Sequence, residues 1–155
     1  MACPPNPAVL GILASCCLAL CSCGAPVEQT AAGAINQAAS AVESSALALD
    51  LLAGERAGTP VVETSLEDMS GELEEARKEL QDTLPETAAE RELHQRSSKA
   101  LERAEGALSR ARHALAAKDF PGPTQENPDL GAARAALAAS SAELGQLREQ
   151  LGSGR

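Results

Sequence analysis

The sequence predicts an all-α fold, an antiparallel bundle of three to four amphipathic helices. Residues 28–151 consist mainly of Ala, Leu, Glu, Arg and Gln, which are among the residue types that favour helices most strongly. Apolar residues recur there every three or four positions, the spacing that places them on one face of a helix. Glycines and prolines separate these runs, as expected where helices begin and end. Connections of this length allow consecutive helices to pack antiparallel.

The first two helices are predicted over residues 27–53 and from residue 59 onward. Gly54 and Gly58 follow the first helix, at the position where helices commonly stop. The second helix is expected to start with Thr59 as its N-cap and Pro60 at the first helical position. Their apolar stripes are Ile35, Ala38, Val42, Leu49 and Leu52 in the first, and Val62, Leu66, Met69, Leu73, Ala76 and Leu80 in the second.

The third and fourth helices are predicted over residues 85–118 and from residue 128 onward. Thr83 and Glu86 have the spacing of a capping box at the start of the third helix. Residues 119–127 are rich in proline and predict a loop, after which Asn127 is the expected N-cap of the fourth helix. The two stripes are Ala100, Leu101, Ala104, Ala107, Leu108, Ala111, Ala114 and Leu115, then Leu130, Ala133, Leu137, Leu144, Leu147 and Leu151.

The junction between the second and third helices allows two interpretations. It contains no glycine, and the heptad phase of the second helix continues through it, which is compatible with one long kinked helix across residues 61–118. Such a helix would favour an elongated or dimeric coiled coil. We favour a turn, because the central heptad positions there are polar: Thr83, Thr87, Glu90, His94 and Ser97.

Charge and composition exclude several kinds of partner. The formal net charge is −9, and every charged residue lies at or after Glu28. An acidic chain without a basic cluster is not expected to bind nucleic acid or to be held electrostatically on anionic lipid headgroups. Phe120 is the only aromatic residue. A core built largely from alanine is thin, so we expect no deep aromatic ligand pocket and no cofactor.

The amino-terminal region has the features of an export signal. All five cysteines lie within the first 23 residues, whereas a disulfide framework would distribute them through the fold. Residues 8–20 form a largely apolar run that fits the hydrophobic region of a signal peptide. The run is shorter than the roughly 20 residues that a membrane-spanning helix requires. The five cysteines are Cys3, Cys16, Cys17, Cys21 and Cys23.

Leu20-Cys21-Ser22-Cys23 resembles the lipobox of bacterial lipoproteins, with leucine at −3, a small residue at −1 and cysteine at +1. The resemblance covers this motif alone. It implies diacylglycerol on the Cys23 thiol, because the sulfur is the nucleophile, followed by cleavage before Cys23 and acylation of the new amino terminus. Gly24 at +2 implies the outer membrane in a cell with two membranes. The chain then divides into a signal peptide (1–22), a short tether (23–27), a helical bundle (28–151) and a flexible carboxyl terminus (152–155).

Other interpretations of the leader remain open at this point. Leu13-Ala14-Ser15-Cys16 also matches the lipobox, which makes Cys16 the alternative lipidated residue. Only about five apolar residues precede that motif, fewer than the usual hydrophobic region contains, so Cys23 is preferred. An ordinary signal cleaved before Ala25 and a buried apolar amino terminus with incidental cysteines are the remaining alternatives.

His94 and Glu90 are the candidate ligand or metal residues. They are four residues apart, so the carboxylate and the imidazole share one face of a helix. The alternative is a histidine at the edge of the core, hydrogen-bonded to Glu90 or to water, and it is favoured because the chain lacks a multi-helix Glu-x-x-His set and a zinc-ligand pattern. His113 is expected to face solvent. Phe120 either contacts a partner or closes the end of the bundle.

No catalytic constellation is recognisable in the sequence. The paired serines lie within helices, without the sharp turn or adjacent base that a nucleophile requires. The acidic residues of the second helix fit a solvated face better than a calcium loop. We therefore expect a lipid-anchored envelope protein facing outside the cytoplasm, a non-catalytic interaction or structural module that contacts an envelope protein or itself. The alternative is a periplasmic sensor or binding module for a metal ion or a small apolar ligand.

Overall fold

The computed structural model describes residues 27–118 and 128–153. Within these two ranges the chain forms four α-helices and no strand, which confirms the predicted all-helical bundle. Every residue predicted on the four apolar stripes is buried or half-buried. None of the described helices is both long enough and apolar enough to span a membrane. The helices are α1 (Val27–Ala53), α2 (Thr59–Gln81), α3 (Ala88–Lys118) and α4 (Pro128–Ser153).

Consecutive helices run antiparallel, and side chains on neighbouring helices show the pairing. Gln37 Nε2 on α1 donates to Glu72 Oε2 on α2 at 2.7 Å. An ion pair joins Arg103 Nη1 on α3 to Glu143 Oε1 on α4 at 2.6 Å. Further ion pairs, Arg77–Glu105 and Arg134–Asp50, connect α2 with α3 and α4 with α1. These partly exposed pairs show which helices are neighbours, but each contributes little to the free energy of folding.

The bundle is flattened along one diagonal. Each helix contacts both of its neighbours, and α1 also contacts α3 across the bundle, whereas α2 and α4 share no contact among the described residues. α1 is accordingly more buried than α2: 13 of the 27 residues of α1 are buried, compared with five of the 23 residues of α2. The two helices of the short diagonal therefore form the centre of the fold, and α2 and α4 flank them.

Alanine is frequent on the buried faces of α1 and α3, which permits a close approach of the two helices. Helix axes approach most closely where the facing side chains are small. Both helices bury a series of alanines, with leucine, isoleucine and valine filling the remaining space on either side. The buried alanines are Ala31, Ala34, Ala38, Ala39, Ala41 and Ala48 in α1, and Ala100, Ala104, Ala107, Ala111 and Ala114 in α3.

A turn separates α2 from α3, so the alternative of one kinked helix across residues 61–118 is wrong. α2 ends at Gln81 and α3 begins at Ala88. Pro85 accounts for the break, because proline has no N–H group and disfavours helical geometry at the residue before it, here Leu84. The last turn of α2 is closed by its own backbone, with the Asp82 N–H donating to the Lys78 carbonyl at 3.0 Å.

The start of α2 differs by one residue from the prediction. Gly58, not Thr59, is the N-cap, and no side chain caps this end. The backbone N–H groups of Val61 and Val62 donate to the Gly58 carbonyl at 3.1 and 3.2 Å. The preceding turn contains Glu55 in the left-handed region, at φ 56°, which reverses the chain and brings Gly58 to the start of the helix.

Candidate functional site

His94 lies half-buried near the start of α3, beside the carboxyl-terminal end of α2. Its Nε2 is 2.9 Å from the Leu80 carbonyl oxygen. A carbonyl oxygen only accepts hydrogen bonds, so Nε2 carries the proton and donates. The same carbonyl accepts from the Thr83 N–H at 3.2 Å, so the ring adds a second hydrogen bond to the end of α2. The partner of His94 is a backbone carbonyl and not the Glu90 carboxylate.

Glu90 caps the start of α3. Its Oε2 accepts from the backbone N–H of Glu86 at 2.9 Å and of Thr87 at 2.8 Å. In return, the Glu90 N–H donates to Thr87 Oγ1 at 3.1 Å. This reciprocal pair is a capping box with Thr87 at the N-cap. The backbone hydrogen bond from Thr87 lowers the pKa of the Glu90 carboxyl most, and those from the Glu86 backbone and the Thr87 hydroxyl lower it further.

The capping box predicted for Thr83 and Glu86 is therefore wrong. Thr83 Oγ1 donates to the Glu79 carbonyl at 3.1 Å and belongs to the end of α2. The signal for the correct box was present, because Thr87-Ala88-Ala89-Glu90 has the same Thr-x-x-Glu spacing. A box at Thr83 would require helical geometry at Leu84, which the following proline disfavours.

Together, these hydrogen bonds fix the α2–α3 turn (residues 82–87) between the two helices. His94 holds its first side through Leu80, and Glu90 holds its second side through two backbone N–H groups. In the part of the chain that the structure describes, no group of three or more His, Cys, Asp or Glu side chains is placed to hold a metal ion. The side chains of His94 and Glu90, the two candidate ligand residues, thus form hydrogen bonds that hold the α2–α3 turn.

Glu90→Gln should lower stability near neutral pH and lose its effect in acid. Hydrogen bonds to the carboxylate lower the folded-state pKa of Glu90, so its stabilising contribution is present above the unfolded-state pKa of about 4.3. That contribution disappears as the pH falls through the lower folded-state pKa. Urea unfolding followed by circular dichroism, at about pH 7 and about pH 3, measures the difference between variant and wild type.

Glu92→Gln is the matched control, because Glu92 is exposed on the same helix beyond the capping box. It should leave the pH dependence close to that of the wild type. If Glu90→Gln lowered the free energy of unfolding equally at both pH values, the assignment of the capping bonds to the charged carboxylate would be contradicted.

A groove of about 310 Å³ runs between α2 and α3. Arg77 Nε lies 3.1 Å from Glu105 Oε1 inside it. Burial raises the pKa of the Glu105 carboxyl, Arg77 opposes this shift, and the nearby Glu74 and Glu102 carboxylates raise the pKa further. Opposite charges within the groove thus face one another. Its lining is Ser70, Leu73, Glu74, Arg77, Glu105, Leu108, Ser109 and Arg112.

A second groove, of about 440 Å³, lies between α1 and α2. Its walls are largely uncharged, and the hydrogen bond from Gln37 to Glu72 joins them. The one charged residue of its lining, Glu72, is thus already hydrogen-bonded. It is lined by Asn36, Gln37, Ser40, Ala41, Ser44, Met69 and Glu72.

The remaining candidate residues have separate positions. Cys23, Cys16 and Phe120 lie outside the described residues, and so does Asn127, the predicted N-cap of the fourth helix. His113 is exposed, as expected. Of the paired serines, three are buried on helix faces: Ser45, Ser97 and Ser140.

Leu84 is a residue that the sequence argument did not single out. It lies in the α2–α3 turn, and 84% of its surface is exposed, more than for the other large apolar side chains on the described surface. Its position outside the apolar stripes of both helices was the available signal. The turn is thus held by side-chain hydrogen bonds on both sides and also carries the most exposed leucine of the described residues.

Comparison with known proteins found no matching family model, no matching curated protein and no matching solved structure.

Proposed function

We propose that the protein is a lipid-anchored protein of the bacterial cell envelope, and that its helical bundle is a non-catalytic interaction module. The proposal rests on the position of the lipobox. Three residues separate Cys23 from Val27, where α1 begins. Processing before Cys23 would leave all the described helices intact. A fully extended tether of this length spans about 14 Å, so the anchor would hold the bundle close to its membrane.

The outer face of α4 supports the interaction role. A surface helix ordinarily places charged residues on its solvent side. α4 exposes arginines towards its two ends but carries Ala135, Ala138 and Ala142 on its surface between them, whereas α2 exposes many carboxylates along its length. The two flanks of the bundle therefore offer chemically different surfaces: the middle of α4 is small and uncharged, whereas α2 is acidic. The first suits close contact with another helix, from an envelope protein or from a second copy of the chain.

The metal-binding alternative has less support. It depends on His94 and Glu90, and the side chains of both are hydrogen-bonded to backbone groups of the α2–α3 turn. A ligand would have to displace these bonds, which exposes helix-end groups that the side chains now satisfy.

Intact mass spectrometry of the protein from membranes of its own host tests the anchor. We expect a chain that begins at Cys23 and carries two or three fatty acyl groups. Cys23→Ala should abolish both the acylation and the cleavage that follows it, which leaves this variant as an unmodified precursor with its apolar leader. Its thermal unfolding curve should be unchanged, because the described helices lie beyond this residue. Cys16→Ala is the matched control for the second lipobox. An unmodified full-length chain in the wild-type sample would overturn the proposal.

The same membranes test the interaction role. A photoreactive side chain at Ala138 on α4 should crosslink to an envelope protein or to a second copy, and the yield should fall in the Cys23→Ala background. The matched position is Glu67 on the acidic face of α2. Equal yields at both positions would contradict a specific contact through α4.

A further inference from the structure

The amino terminus of α1 and the α2–α3 turn lie at the same end of the bundle. The hydrogen bond between Gln37 and Glu72 joins α1 and α2 at one level. Val27 precedes Gln37 by ten residues, and Gln81 follows Glu72 by nine. At the rise of an α-helix, both ends therefore lie about 14 to 15 Å from this bond, in the same direction. We call this end of the bundle, which contains Val27 and residues 82–87, the proximal end.

Leu84 lies at the proximal end with its side chain exposed. It lies three residues beyond the end of α2 and is 84% exposed. Val61 is a similarly exposed apolar residue, at 67%, but it lies at the start of α2 and therefore at the distal end. Within the described part of the chain, the most exposed large apolar side chain thus lies at the end that the Cys23 tether reaches.

We propose that Leu84 docks on the lipid bilayer and that the bundle stands on its proximal end. This inference rests on the proposed lipid anchor. A tether of about 14 Å keeps the proximal end near the membrane, whereas α1 alone is about 40 Å long and places the distal end well away from it. Tethering gives Leu84 a high effective concentration at the interface. Transfer of its side chain out of water is then favourable.

The charges at and beside the proximal end determine which lipid composition favours the contact. The acidic residues Glu79, Asp82 and Glu86 outnumber the basic residues Lys78 and Arg91 along this stretch, and all five are exposed. Anionic headgroups repel such a surface. Leu84 therefore docks on a zwitterionic bilayer, and the contact weakens as anionic lipid is added.

A single labelled cysteine measures the contact. All five native cysteines lie within the first 23 residues, so after processing at Cys23 an introduced cysteine is the only free thiol. Leu84→Cys, labelled with an environment-sensitive fluorophore, is reconstituted as the acylated protein in phosphatidylcholine vesicles. Val61→Cys is the matched control. We expect quenching by aqueous acrylamide, a neutral quencher, to fall several-fold for the Leu84→Cys label relative to the Val61→Cys label, with a blue-shifted emission. Phosphatidylglycerol should partly restore the quenching.

The outcomes separate the docking from the anchor. Circular dichroism first verifies that both labelled variants are folded. If intact mass shows acyl chains and acrylamide quenches both labels equally on vesicles, the docking is overturned while the anchor stands. If intact mass shows no acyl chain, both proposals fall.

Discussion

Leu101→Ala should lower the free energy of unfolding by about 2 to 5 kcal/mol. Leu101 is fully buried in α3, a helix that contacts all three others. The core around it has no aromatic side chain among the described residues, and many of its members are alanines. Each large aliphatic side chain therefore fills a large share of the interior, and truncation leaves a cavity that small neighbours cannot close. Urea unfolding monitored by circular dichroism measures the change.

Leu47→Ala provides the matched control for this substitution. Leu47 lies on α1 and is 57% exposed, so its truncation should change stability by no more than about 0.5 kcal/mol. Similar unfolding midpoints for the two variants would contradict the assignment of Leu101 to a closely packed core.

Ala104→Leu should also destabilise the fold, by about 1 to 3 kcal/mol, although it adds apolar surface. Ala104 is fully buried in α3, one of the two helices of the short diagonal. The added atoms must enter a contact that small side chains have made close, so α1 and α3 have to separate or adopt strained side-chain conformations. Differential scanning calorimetry should show a lower melting temperature than that of the wild type.

Ala138→Leu makes the same change on the exposed face of α4. Leucine is a good helix former, and open space surrounds this position, so we expect an effect within about 0.5 kcal/mol. If Ala104→Leu matched or exceeded the wild type in stability, the close approach of α1 and α3 would be contradicted.

The fold class and the buried faces were predictable, because both follow from local periodicity. An amphipathic helix repeats its apolar residues with the period of its own turns, so α2 could be assigned from Val62, Leu66 and Leu73 without knowledge of its neighbours. Proline and glycine then placed the breaks. The sequence left the junction between α2 and α3 ambiguous, although Pro85 also contained the information needed to decide it.

The arrangement of the helices was not predictable in the same way. Apolar stripes specify which face is buried, but a square bundle and one with a short α1–α3 diagonal satisfy the same stripes. The alanines of α1 and α3 select the second arrangement, because only small side chains allow two opposite helices to meet. This preference depends on all four helices at once and is not visible in any single segment.

The candidate site shows the same distinction between local and long-range information. The position of His94 at the core boundary followed from its heptad position. Its partner, the Leu80 carbonyl, depends on how α3 passes the end of α2, which no local pattern specifies. Glu90 is a candidate ligand in the sequence because carboxylates commonly bind metal ions. In the structure its carboxylate accepts hydrogen bonds from backbone N–H groups instead.

The absence of contact between α2 and α4 in the described structure affects how the surface can change during evolution. Substitutions at distant surface positions without common partners usually have additive effects on stability, whereas substitutions within one contact do not. The acidic face of α2 and the alanine-rich face of α4 can therefore diverge independently of each other. Selection for a new binding surface on one flank imposes no compensating change on the other, as long as α1 and α3 between them are preserved.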